Sequence, residues 1–550
     1  MVLELKKGGI MSIKKELQQI IKNSLEKNNI DFDSNTIVIE TPKDSNFGDY
    51  STNIALILAK TLKRNPLEIA EDIKNGIDSD TIEKIEIVKP GFINIFLSKQ
   101  TLFKEVNKIN KFSKKYGKSE VGQNKRINIE YVSANPTGTL HIGHARGAAY
   151  GDNLSRIMSA CGYDVTREYY INDAGNQMNN LGISIKERYK EICGLACNLP
   201  EDGYHGKEII ALAQTIYDKY NDTKLDEDIE YFKQAGLTVL LDQIKNDLDK
   251  FRVNFDIFKS EQSLYDKGAV EKIISDLKKS NACYIEDDAL WLKTTDYGDE
   301  KDRVIIKKDG SYTYFLPDIA YHNDKISRGY EEIIDVLGAD HHGYINRLKA
   351  AIEILGKDKN MLNVIILQMV RLLKDGEEVK ISKRTGKTIT LNDLLEEVGV
   401  NAARYFFASK SPDTQMDFDL SLAVKNSNEN PVYYIEYANA RICSILNNYH
   451  NEIEEIDEFH TINEPLAYTI MNKLMSFTDT VISAANKKEP HIICNYVYEL
   501  ATLFHSYYSK EKFITDNKEY TKERLALLNA IKIVINNALD LIGIIPRESM

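Results

Sequence analysis

The sequence is short of the features that mark secreted, metal-clustered or membrane proteins. Its six cysteines, Cys161, Cys193, Cys197, Cys283, Cys443 and Cys494, are scattered, with no Cys-x-x-Cys pair and no histidine at zinc-ligand spacing. No bound metal is therefore expected, and reduced thiols suit an intracellular protein. No apolar run reaches the length needed to cross a bilayer, and Lys6, Lys7, Lys14 and Lys15 interrupt the stretch where a signal peptide would carry its apolar core. A cytoplasmic protein that does not engage membranes is the expectation. Repeats and low-complexity stretches are missing as well. Positive charge is in deficit: 71 Lys and Arg against 83 Asp and Glu leave a formal charge of −12, which argues against indiscriminate nucleic-acid binding. A specific RNA partner stays open, because local basic patches and shape recognition also operate on acidic proteins.

What is present is 550 residues, 43% hydrophobic and 28% charged, an ordinary globular composition with enough chain for about three domains. Residues 1–112 open with an amphipathic helix, Ile13 to Asn28, in which Leu17, Ile20, Ile21 and Leu25 recur at helical spacing. A helix from Ile54 to Thr61, a third near Pro66 and a strand from Gly91 to Leu97 make this an α+β unit. The Lys-rich run Lys108 to Lys118 reads as a linker. Residues 113–410 alternate between strand and helix, as a doubly wound, Rossmann-like parallel sheet requires, with a long charged helical interruption after Gln177. In residues 411–550 strands disappear and helices dominate; Asn430 is placed to cap one that has Pro431 at its first position.

The segment Ser133-Ala134-Asn135-Pro136-Thr137-Gly138-Thr139-Leu140-His141-Ile142-Gly143-His144 follows a short β-branched strand, Arg126 to Val132, and leads into a helix that Gly162 closes. Spacing of three residues puts both imidazoles on one side of the helix start, and Gly143 lets a flat group approach the backbone. A helix N-terminus favours anions, and two ring donors there add hydrogen bonds to a phosphate whose charge grows during reaction. A second segment, Val379-Lys380-Ile381-Ser382-Lys383-Arg384-Thr385-Gly386-Lys387, is basic. Its tail imitates a phosphate-binding P-loop, but Ile381 stands where that loop needs its first glycine.

The first segment resembles the His-Ile-Gly-His signature of class I aminoacyl-tRNA synthetases, with a lead-in similar to that of the arginyl-tRNA synthetases. The second resembles the family's Lys-Met-Ser-Lys-Ser loop, with Ile381 for Met and Arg384 for the last Ser. The resemblance spans the whole chain. It implies an N-terminal tRNA-contacting domain, a class I catalytic domain and a helical anticodon-binding domain. It further implies an ATP-dependent arginine–tRNA ligase using ATP with Mg²⁺, L-arginine and tRNA(Arg), expected to act as a monomer. By the same resemblance His141, His144, Lys380, Ser382 and Lys383 carry catalysis. ATP falls on His141, Gly143, His144, Gly338, Asp340 and Lys383; arginine falls on Glu130, Asn135, Tyr314, Asp318 and His342. A guanidinium calls for paired carboxylate hydrogen bonds, which suits Asp318, although Asp318 could instead cap a helix and Glu130 could be structural. Asn430 to Ile442 resembles the helix that opens the family's anticodon domain, where Tyr437 and Arg441 are candidates for tRNA contact; Glu436 and Asn439 depart from its usual Gln and His. Rivals are a class I synthetase for another amino acid, a small-molecule nucleotidyltransferase, and a silent RNA-binding relative. The intact histidines and lysines, the acidic pocket residue and the long helical tail weigh against each.

Overall fold

The computed structural model describes residues 11–341, 343–379, 389–449, 456 and 458–550. They divide into two compact units: residues 124–159 with 163–424, and residues up to 123 with 160–162 and 425–550. No described helix is long and apolar enough to cross a membrane.

The first of these units is built on a five-stranded parallel sheet. Its strands are β1 (Arg126–Glu130), β2 (Asp164–Ile171), β3 (Ile257–Ser260), β4 (Glu332–Gly338) and β5 (Leu362–Leu367), in the order β5-β4-β1-β2-β3. The chain leaves β1 for β2 and β3 on one side and returns to β4 and β5 on the other, so the order reverses between β1 and β4. In open sheets of this kind ligands bind beyond the carboxyl ends at that reversal. Register sets three acidic residues side by side: Glu168 on β2 faces Glu130 on β1, which faces Asp335 on β4. Helices follow as α1 (Ile142–Ala160), α2 (Asn176–Ile192), α3 (Lys207–Tyr220), α4 (Ile229–Lys250), α5 (Phe315–Ser327) and α6 (Tyr344–Ile354). Gly151 lets α1 lie close on the sheet, since a Cβ there would sit 2.1 Å from the Tyr131 ring. Helices α2, α3 and α4 form the expected interruption and bury a core of their own around Leu181, Ile185, Ile209 and Phe232.

The second unit combines the N-terminal and C-terminal segments. An antiparallel sheet of Tyr50–Thr52, Phe92–Leu97 and Ile82–Val88 carries helices Ile13–Lys27, Ile54–Leu62 and Pro66–Gly76. Helix Lys99–Phe112 and, among the described residues, five helices from Pro431 to Leu541 also belong to it.

Several expectations are corrected. β1 stops at Glu130 because Val132 and Ser133 turn to φ values of 69° and 39°, a left-handed bend that ends the strand. The Lys-rich run is no linker: helix Lys99–Phe112 buries Leu102, Phe103, Val106 and Ile109, and the Tyr116 hydroxyl donates to Glu105 at 2.7 Å. Strands do not end at 410, since Met416–Asp419 pairs in parallel with Val370–Lys374. Cys283–Glu286, Ala289–Leu292 and Arg303–Ile306 form an antiparallel sheet inside the interruption. The stretch Ala467 to Asn486, whose pattern reads as one helix, is two, Pro465–Met475 and Phe477–Lys487, which meet at Ser476. Asn430 does cap its helix, accepting from the Val432 N–H at 3.0 Å.

Candidate active site

Helix α1 starts directly after His141, and its first turn holds Gly143 and His144. The two imidazoles stack with centroids 3.7 Å apart and planes 26° from parallel. Each turns one ring nitrogen back onto the chain: His144 Nδ1 accepts from the His141 N–H at 3.3 Å, and His141 Nδ1 accepts from the Gly143 N–H at 3.1 Å. A neutral imidazole that accepts at Nδ1 carries its proton at Nε2. Burial lowers the pKa of both rings, with His144 brought to about 4 by burial and then by the neighbouring His141. Both are therefore neutral Nε2 donors at pH 7. Gly143 lies tightly against the His141 ring, which a Cβ would meet at 3.0 Å. Deeper in α1, the buried Arg146 guanidinium donates to the carbonyls of Gln368 (2.5 Å), Ser411 (2.9 Å) and Thr414 (3.1 Å), fixing the helix against the strands that follow the sheet.

Lys380, Ser382 and Lys383 lie outside the described residues, as does His342. The chain after the lysine segment is docked on the histidine turn. Leu391 N–H donates to the Leu140 carbonyl at 2.8 Å, and Thr390 bridges His141. Thr390 then forms a reciprocal cap with Asp393 to open the helix Leu391–Val398. Gly338 ends β4, and Asp340 stands exposed in the following turn beside His341.

The residues expected to take arginine fall in two groups. Asn135 is exposed and donates to Gln177 at 2.9 Å. Tyr314, 67% exposed, stands at the start of α5. Asp318 sits in the first turn of α5, past the capping position that Tyr314 occupies, so the helix-cap role does not hold. Its carboxylate is half-buried and makes no hydrogen bond or ion pair with another described residue. Burial raises its pKa to about 7, opposed by His322 and reinforced by Glu261 and Glu130. Glu130 is engaged within the fold, accepting from Ser133 Oγ at 2.8 Å and from Lys325 Nζ at 2.5 Å.

Glu261, directly after β3, was not anticipated. It is 6% exposed, its pKa is raised by burial, and the Tyr170 hydroxyl stands beside it. Asp318 and Glu261 thus form a pair of carboxylates faced by His322 and by Arg347 of α6, the latter stacked on Tyr344 with its guanidinium 3.5 Å from the ring centroid. Only the register of β2 with β3, which brings Ile171 level with Ser260, puts Glu261 beside that site; no local motif surrounds it.

In the other unit Tyr437 and Arg441 are half-buried on Pro431–Asn448, with the Arg441 guanidinium 4.2 Å from the Tyr437 ring and 4.5 Å from that of Tyr508. His505 stacks on Tyr437 at 5.8 Å. Glu436 and Asn439 are buried and bonded to Arg547, at 3.2 Å and 2.8 Å, so both serve packing of the C-terminal end.

A Rossmann-like sheet with neutral histidine donors at its carboxyl edge is the frame of a class I aminoacyl-tRNA synthetase catalytic domain. Residues 105–449 match the family described as tRNA synthetases class I (R), catalytic domain. Residues 15–97 match the arginyl tRNA synthetase N terminal domain and residues 435–550 the DALR anticodon binding domain. The chain is 49% identical over 525 residues to the arginine–tRNA ligase of Bacillus subtilis (strain 168), covering 94% of each. It is equally 49% identical over 526 residues to that of Bacillus velezensis, again 94% of each. Among solved structures the Thermus thermophilus arginyl-tRNA synthetase shares the fold, with a TM-score of 0.78 at 20% identity, over 98% of this chain and 100% of that one. The chain belongs to the arginyl-tRNA synthetase family.

Proposed function

We propose that this chain activates L-arginine with ATP and transfers it to tRNA(Arg). Arginine's carboxylate oxygen attacks the α-phosphorus of ATP and pyrophosphate leaves. The 2′-hydroxyl of the terminal tRNA ribose then attacks the carbonyl of arginyl-adenylate, and AMP leaves. The Nε2–H groups of His141 and His144 meet the phosphate charge that grows in the first step, and Lys380 and Lys383, flanking Ser382, take the leaving pyrophosphate. Gly143, Gly338 and Asp340 complete the nucleotide's surroundings. Mg²⁺ enters on the ATP phosphates as part of the substrate; among the described residues no three His, Cys, Asp or Glu side chains gather as a metal cluster. Asp318 and Glu261 grip the guanidinium with Tyr314 against it, His342 is a further substrate contact, and Asn135 with Glu130 lies on the side of the amino acid backbone. Tyr437 and Arg441 offer stacking surface to unpaired tRNA bases. We place the chain in the cytoplasm as a monomer, and assign residues 1–112, 113–410 and 411–550 to tRNA contact, catalysis and anticodon binding.

The observation that carries this reading is the Asp318–Glu261 pair. His322 is engaged with Asp335, so Arg347 is left to face two carboxylates, an excess negative charge that a guanidinium balances with paired hydrogen bonds. Citrulline, which replaces the guanidinium by a neutral urea, tests it. Pyrophosphate exchange with ATP should be nearly absent with arginine alone and appear when tRNA(Arg) is added. Citrulline should support exchange at least about a thousandfold less, because the carboxylates are left unpaired. Comparable exchange with citrulline would overturn the assignment.

A further inference from the structure

Beneath the Asp318–Glu261 pair lies a buried row of charges. Glu168 is held by Arg328 through two bonds of 2.7 and 2.8 Å and accepts from the Tyr321 hydroxyl at 2.9 Å. Lys325, with no exposed side chain, joins Glu130 at 2.5 Å and Asp335 at 2.8 Å. Arg328 also meets Asp324, which has Lys259 at 3.0 Å as a further partner. His322 fills the remaining place. Its Nδ1 lies 2.8 Å from the Asp318 carbonyl and its Nε2 lies 2.7 Å from Asp335 Oδ2.

Both contacts of His322 are with acceptors. A backbone carbonyl cannot donate, and a carboxylate already bonded to a lysine ammonium is ionised, so each ring nitrogen must carry a proton. Charge balance agrees. Glu168, Glu130 and Asp335 are three buried carboxylates, Lys325 and Arg328 supply two cations, and Asp324 has Lys259; a protonated His322 closes the deficit, as buried charges require.

We propose that His322 is a permanently charged imidazolium and the positioning residue for arginine: its Nδ1–H pins the turn that carries Asp318, and its charge keeps that carboxylate ionised to receive a guanidinium. This rests on Asp318 being the guanidinium's partner. The groups facing Asp318 are His322 on its own helix, Glu130 from β1, Glu261 after β3, Tyr170 from β2, Tyr265, and Arg347 and Tyr344 from α6. Those facing His322 are Asp335, Lys325 and Glu130. Among the described residues, His322 and Arg347 oppose the acids around Asp318. Burial acts to make His322 neutral, but the charge and hydrogen bond of Asp335, with Glu130, raise its pKa against it.

Two measurements on the full chain test this. In protein with ¹⁵N-labelled histidine, the resonance that vanishes in His322→Gln should keep the imidazolium shift at pH 8; a neutral-tautomer shift there would overturn the proposal. Arginine affinity should then be followed by calorimetry from pH 6 to 8.5 in wild type, His322→Gln, Asp335→Asn and Asp318→Asn. Wild-type affinity should rise with pH through about 7, as Asp318 ionises. Loss of the imidazolium should move that rise upward by about one pH unit, a roughly fivefold weakening at pH 7 that largely recovers by pH 8.5. ATP affinity should not change. Asp335→Asn removes the negative charge that holds His322 protonated without altering α5 and should give the same shift, so a folding defect in His322→Gln does not decide the matter. A loss that is equal at every pH in both variants would overturn the positioning role. Asp318→Asn should bind weakly with no rise near pH 7; if it bound like wild type, the guanidinium reading itself would fall, separately from the state of His322.

Discussion

His141 and His144 stack at 3.7 Å, and each accepts a backbone N–H at Nδ1. The arrangement commits both rings to the tautomer that offers Nε2–H outward, with no need for a carboxylate partner to orient them. Adenylate formation should then depend on these donors far more than ATP binding does. His144→Ala should slow single-turnover adenylate formation by about a hundredfold or more with little change in ATP dissociation constant, and His141→Ala somewhat less. Because His144 charges only near pH 4, its protonation should leave no step in the rate between pH 6 and 8. Normal chemistry with weakened ATP binding would remove both histidines from catalysis.

Asp318→Asn should cost arginine binding about 2–3 kcal/mol at pH 8, on the order of a charge-assisted hydrogen bond, while the ATP site stays usable. Glu261→Gln should act in the same direction. Calorimetry decides it: unchanged arginine affinity in Asp318→Asn would leave its carboxylate without a role.

Lys325→Met should destabilise the catalytic unit by about 3–5 kcal/mol, since Glu130 and Asp335 would both lose their buried cation. The pH dependence follows from Asp335. Burial works to raise its pKa, but Lys325 and His322 hold it well below the usual carboxylate range. That contribution is present above the unfolded carboxylate's pKa and disappears as pH falls through the folded one. Wild type should therefore lose more stability than Lys325→Met between pH 5 and pH 3 in denaturant titrations. Equal losses would place the network's energetics elsewhere.

Two glycines of α1 separate packing from helix propensity. Gly151→Ala would drive a methyl into the Tyr131 ring and should cost about 1–3 kcal/mol. Gly147→Ala meets nothing within 4 Å and should be neutral or stabilise by up to about 1 kcal/mol. Thermal melts should show Gly151→Ala lowered and Gly147→Ala unchanged or raised; parallel shifts would contradict the close approach of α1 to the Tyr131 ring.

Much of this was legible in the sequence because the strands are dense in β-branched residues and the motifs fall at their ends. Asn430 with Pro431 marked a helix start by local chemistry alone, and the structure places it there. What the sequence hid depends on register. Glu261 has no surrounding pattern, and it reaches Asp318 only because β3 is added at the edge of β2. The Glu168–Glu130–Asp335 row is likewise invisible until three strands are aligned. The linker expectation at 108–118 failed because most of the apolar stripe of its helix, Leu102, Phe103 and Val106, lies ahead of the lysine run, which contains only Ile109 of it. The short strand at Met416–Asp419 owes its place to pairing with Val370–Lys374 rather than to its own composition.

The most direct test offers the purified protein ATP, total tRNA and each of the twenty amino acids in turn, and measures aminoacyl-tRNA. The account predicts charging with arginine alone, abolished when tRNA(Arg) is depleted. Charging with another amino acid, or none with arginine at intact fold, would contradict it.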